Sequence, residues 1–352
     1  MNSKIKILVA SHKPFKMPEG RYYVPVHVGR NVAKSLSKDG KIDEKSYQWL
    51  LSNTIGDNDG ENISERNRYY SECTALYWAW KNYDKLGNPD YIGLMHYRRH
   101  FIFNESYYYR REKNKWENAL GFVTELMMDK DYQQRIGLND EMIESACRNY
   151  DLIISKDTKL DLIHGRNLRE DYANTIPGVK VKDFDLMLDV VKKDYPEYEE
   201  VVNKNIDGYT KSLYQMFIMK KELFFEYCEF LFGVLFEIEK QVDFSKYSTN
   251  GKRTLGYLAE DLLSMFVWKK ETEKLSILKL GATMVEFPYE KEDIQNILEK
   301  GCPSYFDYLL SKVKSLFLKG DEKQTNKEKY QGIRNQRKAY YRLKQYMKKA
   351  KV

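Results

Sequence analysis

A short apolar run that ends in cationic side chains constrains this chain more than any other segment. Residues 90–95 have the composition of a buried strand. The cationic side chains that follow it are His96, Arg98, Arg99 and His100. Ligands of open α/β sheets bind outside the carboxyl ends of the strands, and paired guanidinium groups there favour a site for a phosphate or a carboxylate. The alternative is a strand that continues into a solvated basic loop.

Strand-like and helix-like segments alternate along the chain, which is typical of an α/β domain. Residues 6–10 predict a first strand, followed at once by a polar loop. The other predicted strands are 22–28, 151–155, 214–219 and 275–287, and the predicted helices are 117–128, 139–148, 180–194, 196–204, 221–240 and 253–270. Residues 31–61 are expected to be rich in loops. We therefore predict a Rossmann-type mixed sheet flanked by helices.

A further helix is predicted to begin near Asn62, because Asn62 and Glu65 have the spacing of a capping pair. Its apolar residues recur at steps of four, three and four, so they share one face. These residues are Tyr69, Cys73, Leu76 and Trp80. We interpret this face as core and not as a surface for stacking a ligand.

The positive charge of the chain is concentrated at its C-terminal end. The 352 residues carry a formal charge of +7. Residues 311–352 hold 14 Lys and Arg against 3 Asp and Glu, whereas the other 310 residues hold 45 against 49. This distribution argues against a basic nucleic-acid-binding domain and indicates a basic appendage, so no nucleic-acid partner is expected.

The appendage has the pattern of basic amphipathic helices. Apolar residues recur at helical spacing in 306–317 and again in 330–347, with a polar break predicted at 320–327. We predict a domain at 1–300 and a helical tail at 301–352. A basic amphipathic helix can bind the surface of an anionic membrane, and deleting 320–352 is then expected to release the chain from anionic vesicles. The alternative is a helix that packs on the domain and exposes a solvated basic face.

Several classes of protein lack support in this sequence. It has neither a Gly-rich phosphate loop nor a Gly-x-Ser-x-Gly elbow, which counts against kinases, NAD enzymes and common hydrolases. Neither the four Cys nor the five His have the spacing of a zinc site. No secretory signal or apolar membrane span is recognisable, so we expect a cytoplasmic location with reduced thiols.

Six blocks in order resemble the bacterial exopolysaccharide and capsular polysaccharide glycosyltransferases, a family long known only as a domain of unknown function. The blocks are residues 9–14, 56–64, 77–82, 91–99, 216–219 and 256–260. The resemblance covers roughly residues 4–290, and some members of the family are galactofuranosyltransferases. The chain departs from the family pattern at Glu61, His100, Gln215 and Asp261 and near His164.

The resemblance implies a GT-A-type fold and a nucleotide-sugar-dependent hexosyltransferase. The implied donor is a UDP-sugar, with galactofuranose as the implied hexose, and the implied acceptor is a lipid-linked glycan of capsule, exopolysaccharide or O-antigen synthesis. The loop after the first strand is where GT-A folds hold the nucleotide. We therefore assign Ser11, His12 and Lys13 to the nucleotide. His96 and Tyr97 complete the predicted donor site.

The leaving diphosphate of a UDP-sugar needs a positive partner in the transition state. One hypothesis gives this role to Arg98 and Arg99, together with Lys13. The other uses Asp57 and Asp59, an Asp-x-Asp in a Gly-flanked loop, to hold Mg²⁺ or Mn²⁺.

An inverting transferase also needs a carboxylate base for the acceptor hydroxyl. The pair Glu260 and Asp261 resembles the Glu-Asp pair of inverting GT-A enzymes, and Glu260 lies inside a matching block. Asp207, just before a Gly-Tyr pair, is a third candidate. Alternatively, these acidic residues form a solvated first helical turn.

The combined expectation is an inverting glycosyltransferase at the inner face of the cell membrane. The rival expectation from another class is a non-catalytic component of a polysaccharide assembly complex that binds a carbohydrate or a nucleotide. The presence of Glu260, Asp261 and Asp207 as possible bases favours the enzyme.

Overall fold

Strands and helices alternate in the structure as the sequence predicts. The computed structural model describes residues 4–37, 40–111, 119–212 and 214–349. The strands are β1 Ile5–Ser11, β2 Tyr23–His27, β3 Ile55–Gly56, β4 Tyr91–His96, β5 Phe101–Ile102, β6 Phe122–Met127, β7 Leu152–Ser155, β8 Thr158–Lys159, β9 Thr210–Lys211, β10 Phe217–Lys220 and β11 Ile277–Phe287. The helices are α1 Glu44–Asn53, α2 Asn67–Tyr70, α3 Cys73–Lys81, α4 Glu105–Arg111, α5 Tyr132–Ile136, α6 Asp140–Asn149, α7 Leu160–His164, α8 Leu168–Thr175, α9 Val181–Asp194, α10 Glu199–Asn205, α11 Lys221–Gln241, α12 Thr254–Thr272, α13 Lys291–Lys300, α14 Tyr305–Phe317 and α15 Gly320–Lys349.

One mixed sheet organises the domain. Its strands follow the order β3-β2-β1-β4-β10-β7-β11-β5, with β6 also paired to β11. Strands β1 to β4 pair in parallel, and β10 runs antiparallel to both β4 and β7. The carboxyl ends of β1, β2, β4 and β7 therefore meet the amino end of β10 at one edge, which we call the carboxyl edge. Strands β8 and β9 form a separate two-stranded ribbon.

The central strands are buried on both faces, which explains why their sequences are apolar without interruption. Alternate side chains point to opposite faces because a strand has a period of two. Leu94 packs into the core beneath helices α3, α11 and α12, whereas Met95 packs into the core beneath α5 and α6. The predicted α/β class with a mixed sheet is confirmed.

Four local predictions are wrong. Within the predicted helix 117–128, residues 122–127 instead form strand β6, because β6 pairs in parallel with the long strand β11 and this pairing overrides the helical pattern. Residues 31–61 contain helix α1, whose N-cap Asp43 accepts a hydrogen bond from the Ser46 amide. The helix predicted from Asn62 is divided at Ser71, where φ is 51°. The polar break predicted at 320–327 lies inside α15.

Helices α14 and α15 form a C-terminal hairpin with one docked and one uncovered helix. Leu343 of α15 is fully buried with Phe287 and Ile294 of the domain. Helix α14 instead leaves large apolar side chains in solvent. Their exposed fractions reach 70% at Phe306 and 80% at Phe317. The other exposed apolar residues of α14 are Tyr305, Leu309, Leu310, Val313 and Leu316.

Among the helices of the described residues, none combines the length and the apolar character needed to cross a bilayer.

The sheet leaves no room for a side chain at Gly93 of β4. A Cβ atom there would lie 2.8 Å from the carbonyl oxygen of Phe217 and 2.8 Å from Cγ1 of Ile218. We predict that Gly93→Ala lowers the free energy of unfolding by about 1–3 kcal/mol, measured by urea denaturation. Gly332→Ala in α15 is the matched control, because its Cβ would meet open space. Equal stability of the two variants would contradict the packing of β4 against β10.

Candidate functional site

Five polar residues converge where β4 reaches the carboxyl edge, and we call them the edge cluster: Glu72, His96, Arg99, Tyr214 and Glu260. They come from the start of α3, the end of β4, the turn after it, the turn before β10 and helix α12. Glu72 and Glu260, the first and last of these residues, are 188 positions apart in the sequence, so only the sheet topology brings them together. The cluster lies in the part of an α/β sheet where ligands usually bind.

A close approach of two helical segments places the two carboxylates side by side. Gly256 of α12 packs against Ser71, and a Cβ at position 256 would lie 2.9 Å from Cβ of Ser71. Arg253 of the preceding turn donates from Nε to Oγ of Ser71 at 3.0 Å. Glu260 follows Gly256 by one helical turn and shares its face, so it meets Glu72, the neighbour of Ser71. The charge of Glu72 accordingly acts on Glu260.

Glu260 has the electrostatics of a group that exchanges a proton near neutral pH. Burial raises the pKa of its carboxyl to about 7. Lys211 opposes this shift, Glu72 adds to it, and Arg99 and the Tyr214 backbone oppose it again. A carboxylic acid with such a pKa is suited to general base catalysis at neutral pH.

His96 fixes the segment that precedes β10. Its Nε2–H donates to the carbonyl oxygen of Tyr214, which defines the tautomer of the ring. Nε2 also lies 3.9 Å from Oε1 of Glu72. Burial lowers the pKa of His96 to about 4, so the imidazole is neutral at physiological pH. We infer that His96 orients the cluster and does not supply positive charge.

Arg99 supplies the positive charge of the edge cluster. Its guanidinium carbon lies 4.3 Å from the ring centroid of Tyr214, a cation–π geometry. Within the described residues, Nε of Arg99 is buried and has no hydrogen-bond partner. Burial lowers the pKa of Arg99, but a guanidinium stays protonated in proteins. The site therefore holds a fixed cation with hydrogen-bonding capacity left for a ligand.

Asp261 belongs to a different, fully buried group. Nζ of Lys211 lies 3.0 Å from Oδ2 of Asp171 and 3.5 Å from Oδ1 of Asp261. Burial raises the pKa of Asp261 to about 6, and Lys211 opposes the shift. Burial also disfavours the charged form of Lys211, but the two carboxylates outweigh it and raise the pKa of the amine. These contacts favour a structural role for Asp261, as the ion pair that joins α12 to β9. Of the other candidate bases, Asp207 lies exposed in the turn before β9.

The predicted donor residues form a second group around Tyr97. The ring of His12 meets Tyr97 edge to face at 5.7 Å, and Nζ of Lys13 lies 5.6 Å from its centroid. The guanidinium carbon of Arg98 lies 5.9 Å from the same centroid. The hydroxyl of Ser11 donates to the carbonyl of Lys13 at 2.6 Å, so it shapes the loop after β1. The structure thus separates Arg98 from Arg99, which belongs to the edge cluster.

His100 packs in the interior beside the second core. Its side chain is fully buried, and Nδ1 lies 2.8 Å from the hydroxyl of Tyr132, which belongs to that core.

Asp57 and Asp59, the candidate metal ligands, both accept hydrogen bonds from protein donors. The carboxylate of Asp57 is fully buried and accepts hydrogen bonds from the amides of Gly29 and Arg30 and the hydroxyls of Ser64 and Thr74, at 2.5–3.1 Å. Asp59 accepts from the indole of Trp78 and the amine of Lys85, and its side chain is 62% exposed. Protein donors thus surround Asp57, whereas each side-chain oxygen of Asp59 accepts a single one of these bonds. Among the described residues, no group of three or more His, Cys, Asp or Glu is placed to hold a metal ion.

Glu72, Lys211 and Asp171 are not among the residues predicted from the sequence. Glu72 interrupts an otherwise apolar helical stripe between Tyr69 and Cys73, and this charged residue beside core positions is the signal that could have revealed it. Lys211 and Asp171 carry no comparable signal, because their pairing depends on the ribbon of β8 and β9.

Fold and site together define an α/β protein with a mixed sheet and a charged site at the carboxyl edge. The chain belongs to the family described as a domain of unknown function (DUF4422), which matches residues 6–271. Among solved structures, it is similar to the apo structure of WbbM, a bifunctional glycosyltransferase, with 29% sequence identity and a TM-score of 0.65. The match covers 80% of this chain and 45% of WbbM, so the chain spans less than half of that protein. No curated protein matches the chain.

The pKa of Glu260 makes stability depend on pH. A folded pKa of about 7 exceeds the ordinary value of 4.5, so the wild-type chain loses stability as the pH rises from about 4.5 through 7. We predict that Glu260→Gln is more stable than wild type at pH 8, by up to about 3 kcal/mol. The difference should shrink towards zero near pH 4.5, as measured by urea denaturation across this range.

Glu271→Gln is the matched control for this experiment. Glu271 lies on the same helix, is exposed and pairs with Lys279, so its removal should give no gain at pH 8. If Glu260→Gln were more stable than wild type by the same amount at every pH, the substitution would act through packing and not through charge.

Proposed function

We propose that this chain is a glycosyltransferase that moves a hexose from a UDP-sugar to a hydroxyl of a lipid-linked glycan. The observation that carries the proposal is the carboxyl of Glu260, with a pKa of about 7, beside the fixed cation Arg99 at the carboxyl edge. The similarity to the glycosyltransferase WbbM supports the reaction class. The resemblance of the sequence blocks to capsular and exopolysaccharide glycosyltransferases supports the UDP-sugar, galactofuranose as the hexose, and the polysaccharide pathway.

In the proposed mechanism, Glu260 is the general base. Its carboxylate takes the proton of the acceptor hydroxyl, and the hydroxyl oxygen forms a bond to the anomeric carbon with inversion. The bond from that carbon to the diphosphate breaks, and the leaving UDP keeps the electron pair. Arg99 stabilises the charge that develops on the diphosphate. Lys13 and Arg98, around Tyr97, contribute further positive charge to the binding of this diphosphate.

This mechanism routes no step through a metal ion, and the carboxylates of Asp57 and Asp59 accept hydrogen bonds from protein donors. The test is nucleotide release from a panel of UDP- and GDP-sugars, with and without EDTA. Release of UDP from one donor, unchanged by EDTA, is the expected result. Loss of release in EDTA would contradict the arginine-based mechanism. Absence of both release and nucleotide binding by calorimetry would contradict the transferase and leave the carbohydrate-binding alternative.

Removal of the proposed base should abolish transfer and spare donor binding. We predict that Glu260→Gln lowers kcat by at least about 10²-fold, while UDP binding measured by calorimetry stays within about twofold of wild type. In the wild type, kcat should rise as the pH increases through about 7, since only the ionised carboxylate accepts the proton. Glu271→Gln should retain both activities. Retained transfer by Glu260→Gln would remove this residue as the base.

We further propose that helix α14 places the protein on the inner, anionic face of the cell membrane, where a lipid-linked acceptor resides. Its seven exposed apolar side chains have no cover among the described residues. Lys312 and Lys314 flank the apolar face, and Lys319 follows it. Apolar area combined with adjacent cations is what an anionic bilayer binds. Helix α15 contributes basic residues, although its own apolar residues pack on Phe287 and Ile294.

Substitutions in α14 test this placement more directly than deletion of 320–352, because α15 also contacts the domain. We predict that Phe306→Ser combined with Phe317→Ser abolishes flotation with anionic vesicles. The matched control combines Leu36→Ser with Leu162→Ser, two leucines that are 69% and 60% exposed elsewhere on the surface, and it should float like wild type. Unchanged flotation of the α14 variant would contradict the proposal.

A further inference from the structure

A cavity lies between the loops of the carboxyl edge and the C-terminal hairpin. Its volume is about 380 Å³. One wall comes from the loops after β1 and β4, with Lys13, Tyr97 and Arg98, and a second wall from the end of β11, with Phe287 and Tyr289. The third wall comes from the end of α13 and from α15, with Lys300, Gln336 and Tyr340. The hairpin is therefore part of the cavity and not a detached appendage.

The cavity carries an excess of positive charge. Lys13, Arg98 and Lys300 line it, and the sole acidic residue among its lining residues is Glu286. Arg342 forms an ion pair with Glu286 from α15, which compensates that negative charge. Tyr289 adds a hydroxyl. Burial raises the pKa of this hydroxyl, and the nearby charges of Lys13 and Arg98 oppose the shift. Lysine ammonium groups, an arginine guanidinium and a phenol hydroxyl are hydrogen-bond donors suited to phosphate oxygens.

The hairpin wall is fixed in place by contacts with the domain and with the segment that follows α13. Leu343 is fully buried against the domain, and Arg337 donates to the carbonyl of Pro303. The hydroxyl of Tyr340 donates to the carbonyl of Leu298 at 3.5 Å. These contacts hold α15 against the end of α13, so Lys300 and Gln336 face a cavity that is formed before any ligand binds.

We propose that the C-terminal hairpin completes a binding site for a diphosphate group in this cavity, with Lys300 and α15 facing Lys13 and Arg98. Arg98 lines the cavity, and the next residue in the chain, Arg99, belongs to the edge cluster, so the turn after β4 connects the cavity with the proposed catalytic site. Two substrates of the proposed function carry this group: the UDP-sugar donor and a lipid diphosphate acceptor. Only the choice between these two sources rests on the proposed function, because the diphosphate site itself is argued from the cavity.

An isosteric pair of substitutions on α15 tests the role of the hairpin. Gln336→Glu introduces a negative charge into the cavity lining, and Asn335→Asp introduces the same charge at the adjacent exposed residue, outside the lining. Calorimetry on the full chain, with inorganic pyrophosphate as the probe, should show binding to wild type. We predict that Gln336→Glu weakens this binding by about tenfold through charge repulsion, whereas Asn335→Asp changes it by less than about twofold. Thermal melts should show that both variants are folded.

The same variants with UDP and with farnesyl diphosphate identify the source of the group. Tighter binding of UDP than of farnesyl diphosphate assigns the cavity to the donor, and the reverse order assigns it to the acceptor. Equal effects of Gln336→Glu and Asn335→Asp, or no binding of any of the three probes to wild type, would overturn the inference. Pyrophosphate binding by the wild type, together with no sugar transfer or UDP release from any donor of the panel, would refute the proposed function and leave the site intact.

Discussion

The contact between Gly256 and Ser71 is the constraint on which the site depends. It brings α12 close enough to the start of α3 for Glu260 and Glu72 to share one buried environment. Burial in this environment is the main cause of the raised pKa of Glu260, and the charge of Glu72 adds to it. Any side chain at position 256 would push the helices apart and reduce both effects. The raised pKa of Glu260 is therefore a property of helix packing and not of Glu260 alone.

Burial of this many charges has a cost that the fold compensates locally. Lys211 offsets Asp261 and Asp171 in the interior, and Arg99 offsets the edge carboxylates where the sheet opens. Buried ion pairs of this kind contribute little net stability. Here the buried ion pairs fix the orientation of α12. The ion pairs of Lys211 hold α12 so that Glu260 projects towards the edge cluster. The His96 hydrogen bond to the Tyr214 carbonyl fixes the opposite side.

The sequence predicts the fold best where periodicity and burial agree. Strand β4 and helix α11 are clear because each has an apolar pattern of the right length. Strand β6 is not, since its pairing with β11 spans about 160 residues of sequence, and long-range pairing leaves no local signal. The same holds for the site. The sequence indicates Glu260 and Arg99 because both lie in or beside blocks that resemble the family. The separation of Arg98 from Arg99 follows only from the three-dimensional packing, and so does the position of Glu72 and Lys211 close to Glu260.

The two helices of the hairpin have different surroundings: α14 faces solvent and α15 faces the domain. This difference relates the proposed membrane binding to the proposed diphosphate site. Helix α14 directs its apolar residues outward, while α15 packs on Phe287 and lines the cationic cavity. Because α14 and α15 are adjacent and α15 is held by Leu343 and Arg342, a bilayer bound by α14 would lie at a fixed position relative to the cavity. On the proposed membrane placement, such an arrangement would let a diphosphate on a membrane lipid reach the protein without leaving the surface. The hairpin would then orient the proposed site towards the membrane, in addition to raising its concentration there.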